Sequence, residues 1–224
     1  MVLVSDTYNF IYLVNPKTGS TSMRNYFKCL RKYTEESRYD VYSLQNKIAD
    51  ISVSYKYDID HNNSLTAKLM CETLNKDYNK YFSFIHIRNP WAKVVSIYFF
   101  DKPDKNRLGW YKSDYDKDSE FYYNFNEWLK DRCFDFFKIE EWIGEQVTKI
   151  YPIETFTLKQ LENDINEFNK ERGVPILKLD GELGYENTTV HDHYSTYYNE
   201  ESIEIVRKAL AKDIELGGYT FERV

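Results

Sequence analysis

The chain has 224 residues, of which 42% are apolar and 29% charged, and this balance is typical of a globular protein rather than a disordered one. Its 36 acidic and 30 basic residues give a formal charge of −6, so we expect no nucleic-acid partner, because phosphate backbones attract net-positive surfaces. The three cysteines form no Cys-x-x-Cys pair, which argues against a zinc site or a disulfide framework. The length favours one domain over residues 1–224.

The sequence shows neither of two patterns that are typical of targeting segments, a basic N-terminal region and a long apolar run. The first residues, MVLVSD, contain no basic region, and no apolar run approaches the roughly 18 residues that a membrane span requires. We therefore expect no signal peptide, no membrane anchor and a cytoplasmic location.

Two strand-to-helix transitions dominate the first half of the chain. Residues 9–14 are an apolar run that predicts a buried strand, and a turn rich in glycine, serine and threonine leads from it into a helix. Residues 81–87 predict a second strand. Asn89 then suits a helix N-cap and Pro90 the first helical position.

The remaining elements are weaker in pattern. The predicted helices cover residues 65–75 with Ser64 as cap, 121–142, 158–172 and 200–216 with Asn199 as cap. A strand is predicted over residues 150–156, where Pro152 favours a sheet edge. The charged residues 101–126 predict an exposed loop or lid. Alternating strands and helices predict an α/β fold with a P-loop-like parallel sheet flanked by helices on both faces.

The turn after the first strand has the composition of a phosphate-binding loop. Free N–H groups at a helix start attract anions, Lys17 adds a positive charge, and hydroxyl groups follow it. The Walker pattern is absent, since the lysine precedes a single glycine, and Arg88 follows the second strand where a nucleoside triphosphatase carries an aspartate. The alternative is an ordinary capped helix start with an exposed lysine.

Residues 15–22 (NPKTGSTS) resemble the 5′-phosphosulfate loop of sulfotransferases that use 3′-phosphoadenosine 5′-phosphosulfate (PAPS). Residues 87–98 (IRNPWAKVVSIY) resemble the 3′-phosphate motif of the same superfamily. The likeness is greatest to its carbohydrate branch, which contains the heparan and chondroitin/dermatan enzymes. The stretches 193–198 and 213–221 are similar to the ending of that branch.

The resemblance implies a donor, a reaction and a set of site residues. PAPS would supply a sulfuryl group to a hydroxyl of a glycan or small-molecule acceptor by in-line transfer, without a metal ion. The residues implied to cradle the 5′-phosphosulfate are Lys17, Thr18, Gly19, Ser20, Thr21 and Ser22. Arg88 and Ser96 would hold the 3′-phosphate, the alternatives being a surface ion pair for Arg88 and a solvent-facing helical serine for Ser96.

A general base has to accept the proton of the acceptor hydroxyl, and histidine suits that task near neutral pH. His86 lies inside a predicted strand and is expected to pack there. His61 precedes a predicted helix, where the resembled branch often carries a histidine, and it is the preferred base. His193 is the reserve. His191 and His193 form only a weak candidate for a metal site, because their spacing is short and the segment irregular.

Two other functions stay open at this point. One is a nucleotide-dependent phosphotransferase with an unusual loop, and the other is a non-catalytic nucleotide-binding protein of the same fold. The charge of −6 favours a neutral glycan or a small hydroxyl compound over a long polyanionic acceptor. The sequence does not specify an oligomeric state.

Overall fold

A computed structural model describes residues 3–29, 64–73, 75–101, 124–130, 138–144, 147–184 and 191–224. The chain divides into two compact units. The first comprises Met1–Ile87 and Glu140–Glu186, and the second comprises Arg88–Ile139 and Asn187–Val224. The assignment of residues 1–224 to a single domain stays a prediction.

The first unit contains a four-stranded sheet in the order β1-β2-β3-β4. Its strands are β1 (Leu3–Ser5), β2 (Phe10–Leu13), β3 (Phe82–Ile87) and β4 (Lys149–Pro152). The strands from β2 to β4 run parallel, whereas β1 pairs antiparallel with β2. The predicted α/β fold is confirmed, with the correction that the sheet is mostly rather than wholly parallel. A strand as short as β1 shows no measurable periodicity, so the sequence pattern missed it.

The helices of the described residues follow in chain order. They are α1 (Ser20–Cys29), α2 (Ser64–Thr73), α3 (Pro90–Asp101), α4 (Phe125–Lys130), α5 (Leu158–Asn169), α6 (Glu200–Ala209) and α7 (Ala211–Gly217). The longest of them have 12 residues. Within the described part of the chain, no helix has both the length and the apolar character needed to span a membrane.

Several predicted boundaries shift in the structure. Helix α2 begins at Ser64 itself, so this serine lies inside the helix rather than before it. The last predicted helix is divided at Leu210 into α6 and α7, and the side chain of Asn199 caps α6 as predicted. Of the predicted loop or lid over residues 101–126, residues 102–123 lie outside the described residues.

Aromatic side chains form the core on one face of the sheet. Alternate residues of the strands point to this face, and α1 and α5 cover it. The cluster includes Phe10, Tyr12, Phe82, Phe84 and Tyr151 from the strands, Met23 and Phe27 from α1, and Leu161 and Ile165 from α5. The strand residues between them, such as Ile11 and Ile85, are fully buried as well, and α2 contacts β2. The sheet is therefore covered on both faces, as expected of a parallel sheet.

Helix α3 is the central helix of the second unit. Its Trp91, Val94 and Tyr98 belong to a core that also includes Tyr198 and Val206. The helix is buried on nearly all sides, unlike a surface helix, which buries one apolar stripe and exposes the rest.

A buried ion pair joins α3 to α7 within the second unit. Lys93 Nζ lies 3.4 Å from Asp213 Oδ1, and both side chains are fully buried. The other carboxylate oxygen, Oδ2, accepts a hydrogen bond of 2.9 Å from the main-chain N–H of Ile139. A buried pair has a large desolvation cost, so its loss is most harmful when only one of the two charges is removed.

We predict that Lys93→Met lowers the free energy of unfolding by about 3–5 kcal/mol, because the Asp213 carboxylate then stays buried without the facing ammonium group. The double variant Lys93→Met/Asp213→Asn should lose less of the free energy of unfolding, because it buries no charge and its amide oxygen can still accept the hydrogen bond from Ile139. Urea denaturation measures both losses. Lys212 makes an exposed pair with Glu215 on the same helix, so Lys212→Met is the control and should change little. A double variant as unstable as the single one would contradict the prediction.

Candidate functional site

The candidate site begins where the pairing of β2 with β3 ends. The last paired residues are Leu13 and Ile85, and Asn15 follows two residues later with a fully buried side chain. Its Nδ2 donates a hydrogen bond of 2.9 Å to the main-chain oxygen of His86. A side chain thus continues the contact between the two strands beyond their last backbone pair.

The chain then turns through two residues with positive φ. Lys17 has φ 61° and Gly19 has φ 73°. The left-handed region costs a non-glycine residue about 1–2 kcal/mol, so the conformation of Lys17 has to be imposed by its surroundings. Between the two, the hydroxyl of Thr18 donates 2.9 Å to the main-chain oxygen of Asn15 and closes the turn.

Gly19 has a positive φ and lies close to the side chain of Ile153, and both features favour glycine at this position. A Cβ atom at this position would lie 3.3 Å from Cδ1 of Ile153, the residue that follows β4. The main-chain N–H of Ile153 donates to the oxygen of Ile87 at 2.9 Å, which holds it against the end of β3. A side chain at position 19 would therefore be strained in its backbone and tight against Ile153.

The start of α1 provides an environment that favours an anion. The helix begins at Ser20, and its first turn contains no acidic residue. The first N–H groups of a helix lack intrahelical acceptors, and the helix dipole places partial positive charge there. Lys17 and Thr21 are half-buried, and Gly19 is exposed. This set of a cation, N–H donors and hydroxyls matches the chemistry of a phosphate or phosphosulfate group.

The hydroxyls of this turn differ in their surroundings. Thr18 is fully buried, and its hydroxyl is bonded to Asn15, so its predicted contact to a ligand would use its main-chain N–H. Ser20 and Ser22 are 7% exposed. Of these residues, Thr18 could therefore offer a ligand only its main-chain N–H, with the Lys17 charge close by in the chain.

The second predicted motif begins directly after β3 in the chain. Arg88 is half-buried, and Asn89 caps α3 through its Oδ1, which accepts from the N–H groups of Trp91 and Ala92 at 3.1 and 3.3 Å. Asn89 and Pro90 therefore occupy their predicted positions. Ser96 is only 6% exposed, so the alternative of a solvent-facing serine is wrong.

The histidines have separate surroundings. His61, the predicted base, lies outside the described residues. His193, the reserve, is exposed, and its Nδ1 lies 2.9 Å from Ser195 Oγ at the start of the short 3-10 helix Tyr194–Tyr197. The ring of His191 stacks on Phe99 at 5.2 Å. Across the described ranges, no group of three histidine, cysteine, aspartate or glutamate side chains could hold a metal ion.

His86 is fully buried in the aromatic core. The centroid of its ring lies 4.4 Å from the ring centroid of Phe156, and its Nδ1 lies 3.4 Å from the hydroxyl oxygen of Tyr12. Its Nε2 has no hydrogen-bond partner among the described residues. Burial lowers the pKa of His86 to about 3, so the ring is neutral at physiological pH.

Sequence reasoning assigned no separate role to Asn15, although its side chain and main chain hold both ends of the turn. The available signal was a polar side chain at the end of an apolar run, directly before a proline. Such a residue is exposed unless its amide has a hydrogen-bond partner, and only the structure identifies that partner as the neighbouring strand.

A model of the Sulfotransferase family matches residues 1–220 of the chain. Because the match covers nearly the whole length, the protein belongs to the sulfotransferase family, which confirms the family predicted from the sequence. Family membership makes it a sulfotransferase with an α/β fold. Comparisons with curated proteins and with solved structures give no match.

We predict that His86 makes stability dependent on pH. Its pKa is about 3 in the folded chain and about 6.5 when unfolded, so the unfolded state binds more protons between these values. Stability therefore falls as the pH decreases below about 6.5, by about 2 kcal/mol between pH 7 and pH 5 from this residue alone. His86→Phe keeps an aromatic ring and should lose this part of the pH dependence. Urea denaturation at both pH values measures it, and an equal decrease in the variant would contradict the prediction.

Proposed function

We propose that this sulfotransferase moves a sulfuryl group from PAPS to a hydroxyl of a glycan or small-molecule acceptor. The observation that supports this most is the turn before α1. It combines a lysine in the left-handed conformation, a closely approached glycine and a helix start without acidic residues. When bound, the donor supplies the sulfuryl group and a phosphate leaving group. The turn has the donors and the charge to bind that end of the nucleotide.

Lys17 is proposed as the residue that acts on the leaving group. The acceptor oxygen forms a bond to sulfur while the bond from sulfur to the bridging oxygen breaks, and that electron pair stays on the 5′-phosphate. Negative charge therefore grows on the bridging oxygen during transfer. The ammonium group of Lys17 stabilises this charge more in the transition state than in the bound donor.

Arg88 and Ser96 are proposed to bind the 3′-phosphate, with Arg88 as the stronger contact. A guanidinium group makes charge-assisted, bidentate hydrogen bonds to phosphate, whereas a serine contributes one neutral hydroxyl. Ser96 is 6% exposed on α3, so only a small part of its side chain is open to a ligand. The residue types and their order in the chain agree with the family motif.

His61 is proposed as the general base that takes the proton of the acceptor hydroxyl, with His193 as the reserve. A neutral imidazole accepts that proton as the acceptor oxygen attacks sulfur. Within its described neighbourhood, the Nδ1 of His193 is already bonded to Ser195 in the cap of a 3-10 helix. His61 stays the preferred base because of its place in the chain, ahead of α2, where the resembled branch often carries a histidine.

The acceptor is proposed to be a neutral glycan or a small hydroxyl compound. The overall charge of −6 disfavours a long polyanionic chain. Aromatic side chains stack on sugar rings, and the sequence of residues 101–126 contains several of them.

We predict that the protein binds 3′-phosphoadenosine 5′-phosphate more tightly than ATP or AMP, because only the former carries the 3′-phosphate. Arg88→Ala should weaken its binding by about 10- to 100-fold, from loss of a charged hydrogen bond, and Ser96→Ala by less. Binding of AMP should stay unchanged in both variants. Isothermal titration calorimetry measures these affinities. A preference for ATP would favour a phosphotransferase, and an unchanged preference in Arg88→Ala would exclude this arginine from the site.

We predict that Lys17 and His61 affect turnover more than nucleotide affinity. Once an acceptor is found by screening glycans and small hydroxyl compounds with PAPS, His61→Ala should lower turnover about 10²–10⁴-fold at unchanged affinity for the nucleotide product. Lys17→Ala should lower turnover more than it lowers that affinity.

His193→Ala is the control for the base. Near-normal turnover in His61→Ala together with a collapse in His193→Ala would move the base to the C-terminal segment. A protein that binds the nucleotide but turns over no acceptor would be a binding protein of the same fold.

A further inference from the structure

Asn15 is a fully buried polar residue at the edge of the phosphate-binding turn. Its Nδ2 donates 2.9 Å to the main-chain oxygen of His86, whereas its Oδ1 has no partner among the described residues. An unpaired buried oxygen is unfavourable. The contribution of the Nδ2 contact has to offset that cost for an asparagine to be stable here.

Asn15 also restrains the turn through its main chain. Its carbonyl oxygen accepts a hydrogen bond of 2.9 Å from the hydroxyl of Thr18. Pro16 and Lys17 therefore lie in a short loop that this hydrogen bond closes. Lys17 has a φ of 61°, a conformation that a lysine keeps only where its surroundings impose it. Both hydrogen bonds of Asn15 act on that part of the backbone.

We propose that Asn15 is a positioning residue of this site. It holds Lys17 and the N–H groups of the turn in the conformation that binds the 5′-phosphate end of the nucleotide, without contacting the nucleotide itself. The inference rests on the proposed function of the turn. A displacement of about 1 Å in a group that positions a ligand is enough to impair its function. Loss of the Asn15 side chain should therefore lower the affinity for the 5′-phosphate end of the nucleotide.

Asn169 provides a matched control in the same unit. It is 4% exposed, its Nδ2 donates 2.9 Å to the main-chain oxygen of Tyr8, and its Oδ1 likewise has no partner among the described residues. Tyr8 precedes β2, whereas the phosphate-binding turn follows it. Asn169→Ala thus removes an equivalent buried contact at the other end of the strand.

The experiment compares two nucleotides in the wild type, Asn15→Ala and Asn169→Ala by calorimetry, below the melting temperatures of all three. One nucleotide is 3′-phosphoadenosine 5′-phosphate, and the other is adenosine 3′-phosphate, which lacks the 5′-phosphate. The affinity for 3′-phosphoadenosine 5′-phosphate divided by the affinity for adenosine 3′-phosphate measures how much the turn contributes to binding the 5′-phosphate. We expect Asn15→Ala to lower this ratio about tenfold or more and to leave the affinity for adenosine 3′-phosphate unchanged. Lys17→Ala should change the ratio in the same direction.

Asn169→Ala should keep the wild-type ratio within about twofold, even where it lowers the melting temperature as much as Asn15→Ala does. Equal changes of the ratio in the two asparagine variants would overturn the inference, as would no change in either. If Asn15→Ala does not fold, the isosteric Thr18→Val removes the second hydrogen bond, and an unchanged ratio there overturns the inference. A wild type that binds neither nucleotide would overturn the proposed function, and this inference with it.

Discussion

Strands β2 and β3 run parallel up to Leu13 and Ile85, and the shape of the candidate site depends on how this pairing ends. Pro16 has no N–H group with which to extend the pairing. The side chain of Asn15 instead donates to the oxygen of His86, and the backbone turns immediately afterwards. The carboxyl ends of parallel strands lie at one edge of a sheet, which is where α/β proteins bind ligands. The turn is thereby held at this edge before α1 begins.

Buried titratable groups are accommodated in two different ways. Lys93 and Asp213 are buried together, so each charge has an opposite charge beside it. His86 is packed against aromatic rings, and burial lowers its pKa, so the ring stays neutral. The physical cause is the same in both cases, since a charge without a partner is unstable in an apolar interior. The lowered pKa of His86 is therefore one route by which we expect acid to destabilise the first unit.

The sequence predicted the elements that depend on local chemistry. The apolar runs located β2 and β3, and the Asn89 and Pro90 pair located the start of α3, because capping and N-terminal proline are short-range effects. The family of the protein followed from two motifs. The antiparallel β1 was missed because it depends on pairing rather than on its own three residues.

Burial that comes from tertiary packing was harder to predict. Ser96 had the spacing of a surface residue, yet α3 is enclosed on nearly all sides. The pairing of Lys93 with Asp213 joins residues 120 positions apart, and no local pattern indicates it. For the candidate site, the sequence predicted the turn and its residue types. The two hydrogen bonds of Asn15 required the structure, because one of them reaches a residue 71 positions away.

The conformation of Lys17 links the fold to the proposed chemistry. A glycine at position 17 would adopt φ 61° without strain, so the lysine is less favourable for folding alone. It is also the residue that supplies a full positive charge within the turn. A charge held in place by the folded chain does not have to be ordered when an anion binds, nor when charge grows on a leaving group. The left-handed conformation of Lys17 has a cost in folding stability, and the contacts of Asn15 with His86 and Thr18 restrain the backbone on both sides of it.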